Sequence, residues 1–177
     1  MNALRRTLSL AAVASVLAAS MLACSKTDTA VSEKASDQDA SVVTVSDQWA
    51  KAATGGMTAV FGTLKNSGTK EVTVESASSP ASTAVELHEV VGDPGSATMR
   101  PKEGGIAIPA GGSHILAPGG DHIMLMDLRG PLQPGSEVEV TLTFKDGSSL
   151  PFSAQVRDYT GANENYQPGG HSAGTHG

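Results

Sequence analysis

Short apolar runs separated by turn residues dominate the chain between residues 42 and 156. The runs are rich in β-branched residues and are broken by Gly, Pro, Asn and Asp, which is typical of strands joined by tight turns. No helical period is sustained over this stretch. Nine strands are predicted, at 42–45, 58–64, 72–74, 85–91, 106–108, 114–116, 122–128, 138–144 and 150–156. The pattern therefore predicts an all-β fold, either a sandwich or a barrel.

The pair Asp146-Gly147 gives the clearest prediction of how two strands connect. It separates two runs in which apolar and polar residues alternate. Asp-Gly is favoured in tight hairpin turns because both residues tolerate a positive φ. The sequence therefore predicts a β-hairpin that joins 138–144 to 150–156.

Residues 1–23 have the layout of a secretory signal, with Arg5 and Arg6 followed by an apolar run and small residues. Its end, Met21-Leu22-Ala23-Cys24, resembles the lipobox of bacterial lipoproteins, whose cysteine is lipidated and becomes the new N-terminus. A lipid on Cys24 would anchor the protein to a membrane without spanning it. The alternative is an ordinary signal peptide cut near Ala23. Both alternatives predict an extracytoplasmic protein of the cell envelope.

Composition divides the remainder into three parts. Residues 24–41 are polar and lack an apolar period, which predicts a flexible linker. The folded domain is predicted at 42–158, and the Gly-rich segment 159–177 is predicted to be a flexible tail.

The formal net charge of -6 disfavours nucleic acid as a partner.

Candidate chemistry is concentrated in the predicted strand that begins at His122. Side chains alternate along a strand, so His122, Met124 and Met126 share one face. Ile123 and Leu125 lie on the other face, which is expected to pack into the core. The alternation therefore predicts that imidazole and thioether groups meet on the surface opposite the core.

The available donors suit a soft metal ion. His88 and Met99 can add a second imidazole and a further thioether, while the single cysteine, Cys24, lies outside the predicted domain. Neutral, soft ligands favour Cu(I) over Mg²⁺, Ca²⁺ or Mn²⁺, and the missing thiolate excludes a blue-copper centre. The alternative, that these residues bind no metal, remains open, since strand methionines usually fill cores and single histidines are usually surface or hydrogen-bonded residues.

Several motifs, in the same order, resemble the periplasmic copper chaperone family called PCu(A)C. They are Trp49-Ala50-Lys51-Ala52, Ser78-Ser79-Pro80, Val85-Glu86-Leu87-His88-Glu89, Met99-Arg100-Pro101, Ile108-Pro109-Ala110-Gly111-Gly112 and Pro118-Gly119-Gly120 running into His122-Ile123-Met124-Leu125-Met126. The resemblance implies a cupredoxin-like Greek-key β-barrel or sandwich. It also implies that His88, Met99, His122 and Met124 bind one Cu(I).

Two positions depart from the family pattern. Glu89 follows the first histidine, where the family often has Met, and the segment between Met99 and His122 is one residue longer than usual. Met126 is a reserve ligand, with packing beside the site as its alternative. His171 and His176 lie in the tail, where they either bind a second copper as Cu(II) or are simply solvated.

The predicted function is that of a lipid-anchored copper chaperone. The resemblance implies that it delivers Cu(I) to the dinuclear copper centre of cytochrome c oxidase, in subunit II, with a second copper assembly protein as a further partner. The competing hypothesis is a metal-free anchored β-sandwich that binds a protein or envelope ligand through its loops. An enzyme is not expected, because no nucleophile with a credible base can be assembled from the sequence.

Overall fold

The computed structural model describes residues 38–93, 96–162 and 165–167. These residues form one short helix and eleven strands: α1 Asp39–Val42, β1 Val43–Lys51, β2 Thr58–Asn66, β3 Val72–Ser78, β4 Ser82–Val91, β5 Thr98–Pro101, β6 Ile106–Ile108, β7 Ser113–Leu116, β8 His122–Leu128, β9 Glu137–Phe144, β10 Ser149–Arg157 and β11 Asn165–Tyr166. Among the described residues, no helix is long and apolar enough to cross a membrane.

The all-β prediction is confirmed, and the nine predicted runs lie in strands, except that Val42 at the start of the first run ends the helix α1. The structure adds three elements that the pattern did not predict. The helix α1 occupies the end of the predicted linker, and β5 lies in a stretch too short to show alternation. The strand β11 lies within the predicted flexible tail and pairs with β5, so the packed part of the chain continues to at least Tyr166.

The strands form one mixed sheet in the order β11-β5-β4-β8-β2-β1-β10-β9-β3-β6, with β7 also paired to β2. The pairs β1–β10 and β11–β5 are parallel, and the other pairs are antiparallel. Leu64 of β2, Val74 of β3, Leu125 of β8 and Leu142 of β9 are fully buried in the same core cluster. Strands far apart in the order therefore share a core, because the sheet curls around it.

The Asp146-Gly147 hairpin is confirmed. Gly147 has φ 82°, and its N–H donates to the carbonyl of Phe144 at 2.8 Å. The Asp146 carboxylate accepts from the backbone N–H and the hydroxyl of Ser148. Burial alone would raise the pKa of Asp146, but these hydrogen bonds and one from the Asp39 N–H hold it below its usual value. The turn is thus stabilised by both backbone conformation and charge.

Asn66 fixes the loop between β2 and β3. Its side-chain amide is fully buried and donates to the carbonyls of Lys70 and Ile108 at 2.8 and 3.1 Å. Its side-chain oxygen accepts from the N–H of Gly68 at 2.8 Å. One side chain thereby satisfies three backbone groups that belong to different segments.

We expect Asn66→Ala to lower the free energy of unfolding by about 2–3 kcal/mol, because buried backbone groups lose their partners. Urea denaturation followed by circular dichroism measures the change. Ser67→Ala is the matched control, since it removes only an exposed hydroxyl bonded to the carbonyl of Val42. If both variants unfold at the same urea concentration, the role assigned to Asn66 is wrong.

Candidate metal centre

His88 and His122 lie directly opposite each other in the neighbouring antiparallel strands β4 and β8. Their ring centroids are 5.5 Å apart, and the rings meet edge to face at 71°. The register of the two strands fixes this pairing, because opposite residues in an antiparallel pair have side chains on the same face. The two imidazoles are thus brought together by backbone pairing rather than by a loop.

Met99 and Met124 lie on the same face as the two histidines, because side chains alternate between the two faces along each strand. Met124 lies two residues after His122 and therefore shares its face. Met99 of β5 is opposite Val90 of β4, which lies two residues after His88. The structure therefore places all four predicted ligands on one face of three adjacent strands.

This face is buried, which corrects the expectation of an open surface. His88 and His122 are 0% and 3% exposed, and Met99 and Met124 are 6% and 3% exposed. The face is buried because neighbouring strands also place large side chains on it. Phe61 of β2 and Met124 belong to one buried cluster, against which Tyr166 of β11 packs. The predicted alternation holds, but a second apolar cluster covers the far side of the sheet.

Aromatic rings form one wall of this cluster. Trp49 of β1 is opposite Phe61, and their ring centroids are 4.6 Å apart. Phe61 in turn lies 6.0 Å from the His122 ring, and Tyr159 meets Trp49 edge to face at 5.1 Å. These rings limit the positions that the His122 ring can take.

Glu86 and Tyr166 hold the ring of His88. Tyr166 stacks on the imidazole with a centroid distance of 5.3 Å and an interplanar angle of 3°. The Nε2 atom of His88 lies 2.7 Å from a carboxylate oxygen of Glu86, and the Tyr166 hydroxyl donates to the same oxygen at 3.3 Å. Burial raises the pKa of Tyr166, and the charge and hydrogen bond of Glu86 raise it further, so the phenol stays a donor at neutral pH.

These contacts determine which nitrogen of each neutral ring can bind a metal. A carboxylate only accepts hydrogen bonds, so Nε2 of His88 carries the proton and the lone pair is on Nδ1. That Nδ1 is buried and has no hydrogen-bond partner among the described residues. Nδ1 of His122 donates to the carbonyl of Gly120 at 2.9 Å, which leaves the lone pair of that ring on Nε2.

A cavity of about 10 Å³ lies beside the His122 ring. Its lining residues are Ala59, Phe61, Met99, Pro118, Gly119, His122, Met124 and Ala162. This is close to the smallest volume, about 10–15 Å³, that accepts one water-sized particle. The space is of the size of a single monatomic ion next to one imidazole and two thioethers, and the His88 ring centroid lies 5.5 Å from that of His122.

The other candidate residues have different positions. Met126 is partly buried and packs against the same cluster as Met124. His114 of β7 contacts the carboxylate of Asp121 at 2.9 Å. Cys24, His171 and His176 lie outside the described residues. Within the part of the chain that is described, no three His, Cys, Asp or Glu side chains form a group that could hold a metal ion.

Glu86 and Tyr166 are the site residues that sequence reasoning missed. Glu86 lies two residues before His88 in the same predicted strand, so alternation alone places it on the same face. Tyr166 gave no such signal, because its place depends on the pairing of β11 with β5.

Sequence comparisons identify the family of this chain and one of its relatives. A family model described as "Putative lipoprotein LpqE-like" matches residues 43–156. The protein named "Putative lipoprotein Lxx21020", from Leifsonia xyli subsp. xyli, is 50% identical over 125 residues, which cover 71% of this chain and 75% of that protein.

Two solved structures have a similar fold. The copper-bound PCuAC domain from PmoF2 has a TM-score of 0.55 and 20% identity, and the match covers 67% of this chain and 94% of that one. The apo PCuAC domain from PmoF1 has a TM-score of 0.56 and 18% identity, with coverage of 69% and 98%. The fold of this chain is therefore the cupredoxin-like β fold of PCuAC domains.

Proposed function

This chain belongs to the LpqE-like family, and from that premise we propose that it is a cell-envelope copper chaperone that carries one Cu(I). The proposed ligands are His88, Met99, His122 and Met124. One observation carries the proposal: two histidines and two methionines share one buried face. His122, Met99 and Met124 line an atom-sized cavity there, and the buried Nδ1 of His88 has no hydrogen-bond partner among the described residues. The copper bound in the PmoF2 domain, which shares the fold, supports the choice of metal.

The donor set explains why the cargo would be Cu(I). Imidazole and thioether ligands are neutral, and thioethers are soft and polarisable, so they favour Cu(I) over hard divalent ions. Thioether bonds are also weak enough to be replaced one at a time by the ligands of an acceptor. Copper can then move between proteins without being released into solution, and it keeps its oxidation state throughout.

Lipidation at Cys24 would keep the carrier at a membrane surface, as the word lipoprotein in the names of the family and the relative suggests. We propose subunit II of cytochrome c oxidase as the acceptor, with a second copper assembly protein as a further partner. His171 and His176 would add a Cu(II) site in the tail.

The direct test is an anaerobic titration of the purified chain with Cu(I) against a chromophoric chelator. We expect one tight equivalent of Cu(I). In a separate titration with Cu(II), we expect one weaker equivalent that disappears when residues 168–177 are deleted. Absence of Cu(I) uptake would reject the copper proposal and favour the metal-free binding module. Transfer is tested separately by mixing an excess of the loaded protein with the apo copper domain of the oxidase, separating the two proteins and measuring the copper bound to each.

Glu86 is expected to orient His88 for metal binding. We predict that Glu86→Ala weakens Cu(I) binding about 10–100-fold, since loss of the carboxylate partner of a ligating histidine typically has that effect. Tyr166→Phe keeps the ring stacked on His88 and loses only the hydroxyl, so its effect should be much smaller. Competition titrations of the two variants measure both values, and equal affinities would contradict the role assigned to the carboxylate.

A further inference from the structure

A larger groove of about 330 Å³ adjoins the atom-sized cavity. Ala59, Met99, Met124 and Ala162 line both spaces and therefore form their common wall. The groove is lined in addition by Lys51, Ala52, Ala53, Met57 and Thr58. Two proposed ligands, Met99 and Met124, therefore line both the cavity beside His122 and the groove.

Met57 gives this groove a third thioether. It is 41% exposed and lies immediately before β2, after a turn in which Gly56 has φ 72°. The carbonyl of Gly56 accepts from the N–H of Leu128 at 2.8 Å, which ties the turn to the end of β8. Three of the four methionines in the described residues, Met57, Met99 and Met124, line the groove.

The residues that line the groove disfavour hard cations. None of the described residues that line it carries a carboxylate, so hard cations find no matching ligand there. Lys51 is the charged lining residue, and its ammonium donates to the carbonyls of Gly161 and Ala162 at 2.6 and 3.2 Å. These contacts hold the Lys51 charge at the backbone of residues 161–162, while the sulfur atoms line the same groove.

We propose that Met57 is a transfer ligand, through which Cu(I) enters and leaves the buried site by way of the groove. The inference rests on the proposed function. In the exchange, the Met57 sulfur binds Cu(I) while Met99 or Met124 still holds it, and the imidazole bonds then break. All ligands involved are neutral and copper remains Cu(I), so the step needs no proton, oxidant or reductant. Met57 would affect the rate of exchange far more than the affinity of the final complex.

The test compares affinity with transfer rate in the full chain. In Met57→Leu, an apolar side chain of similar size replaces the sulfur at an exposed position. We expect the Cu(I) affinity to stay within about twofold, and stopped-flow transfer to a chromophoric chelator to slow about tenfold, equivalent to about 1.4 kcal/mol in the barrier. Met57→Ala should be equally slow, because both variants lose the thioether.

Ile115→Ala is the control, because this side chain is 66% exposed and does not line the groove. Its transfer rate should equal that of the natural protein. A Met57→Leu variant that binds tightly and transfers at the natural rate would overturn the inference and leave the proposed function intact. A natural protein that takes up no Cu(I) would overturn both.

Discussion

Replacing His122 with alanine is expected to abolish tight Cu(I) binding. His122 supplies the imidazole that lines the cavity together with Met99 and Met124, and its ring centroid lies 5.5 Å from that of His88. The loss should exceed the roughly 10–100-fold that removal of an outer partner causes, because a ligand itself is lost. Competition titration against a Cu(I) chelator measures the affinity.

His114→Ala is the matched control for this prediction. His114 also lies in a strand and contacts a carboxylate, Asp121, but it does not line the cavity. The control should bind Cu(I) as the natural protein does, and circular dichroism should show that both variants are folded. Equal copper affinities in the two variants would mean that copper binds elsewhere.

Replacing Gly105 with alanine is expected to destabilise the fold by about 3 kcal/mol or more, a large fraction of the roughly 5–15 kcal/mol that holds a domain together. Gly105 has φ 82° and lies immediately before β6, where an added Cβ would overlap the carbonyl oxygen of Val74. A left-handed conformation costs a non-glycine residue about 1–2 kcal/mol, and forcing backbone apart adds to this.

The adjacent Gly104 gives a matched comparison, because its φ is 80° and nothing lies within 4 Å of its added Cβ. Gly104→Ala should therefore cost only the conformational part, about 1–2 kcal/mol. The free energies of unfolding of both variants, measured in urea, separate the cost of the positive φ from the cost of the steric overlap with Val74. If they are equally stable, β6 can move away from Val74 without penalty and the steric argument is wrong.

The strands were predictable from sequence wherever alternation lasted long enough to be seen. The run 122–128 and the Asp146-Gly147 turn each contain a complete local signal, and the structure agrees with both. The strand β11 has two residues, and its only support is pairing with β5. Such an element follows from tertiary contact, and no local pattern could have predicted it.

The residues of the candidate site were predictable in part for the same reason. Alternation placed His122 and Met124 together, and the pairing of His88 with His122 then followed from strand register, which only the structure supplies. Burial of the site was missed because it depends on Phe61 and Tyr166, which lie far from the histidines in sequence. The alternation within one strand predicts which side chains share a face. Whether that face is buried depends on side chains from the other strands of the sheet.

The strict alternation in β8 has a consequence for how this protein can evolve. Ile123 and Leu125 lie in the main core, while His122 and Met124 lie on the opposite face. Deleting or inserting one residue near the start of β8 would shift both sets to the wrong face at once. Substitutions can therefore adjust the site one residue at a time, whereas length changes are tolerated only outside this strand, in connecting segments such as the Gly- and Pro-rich one that precedes it.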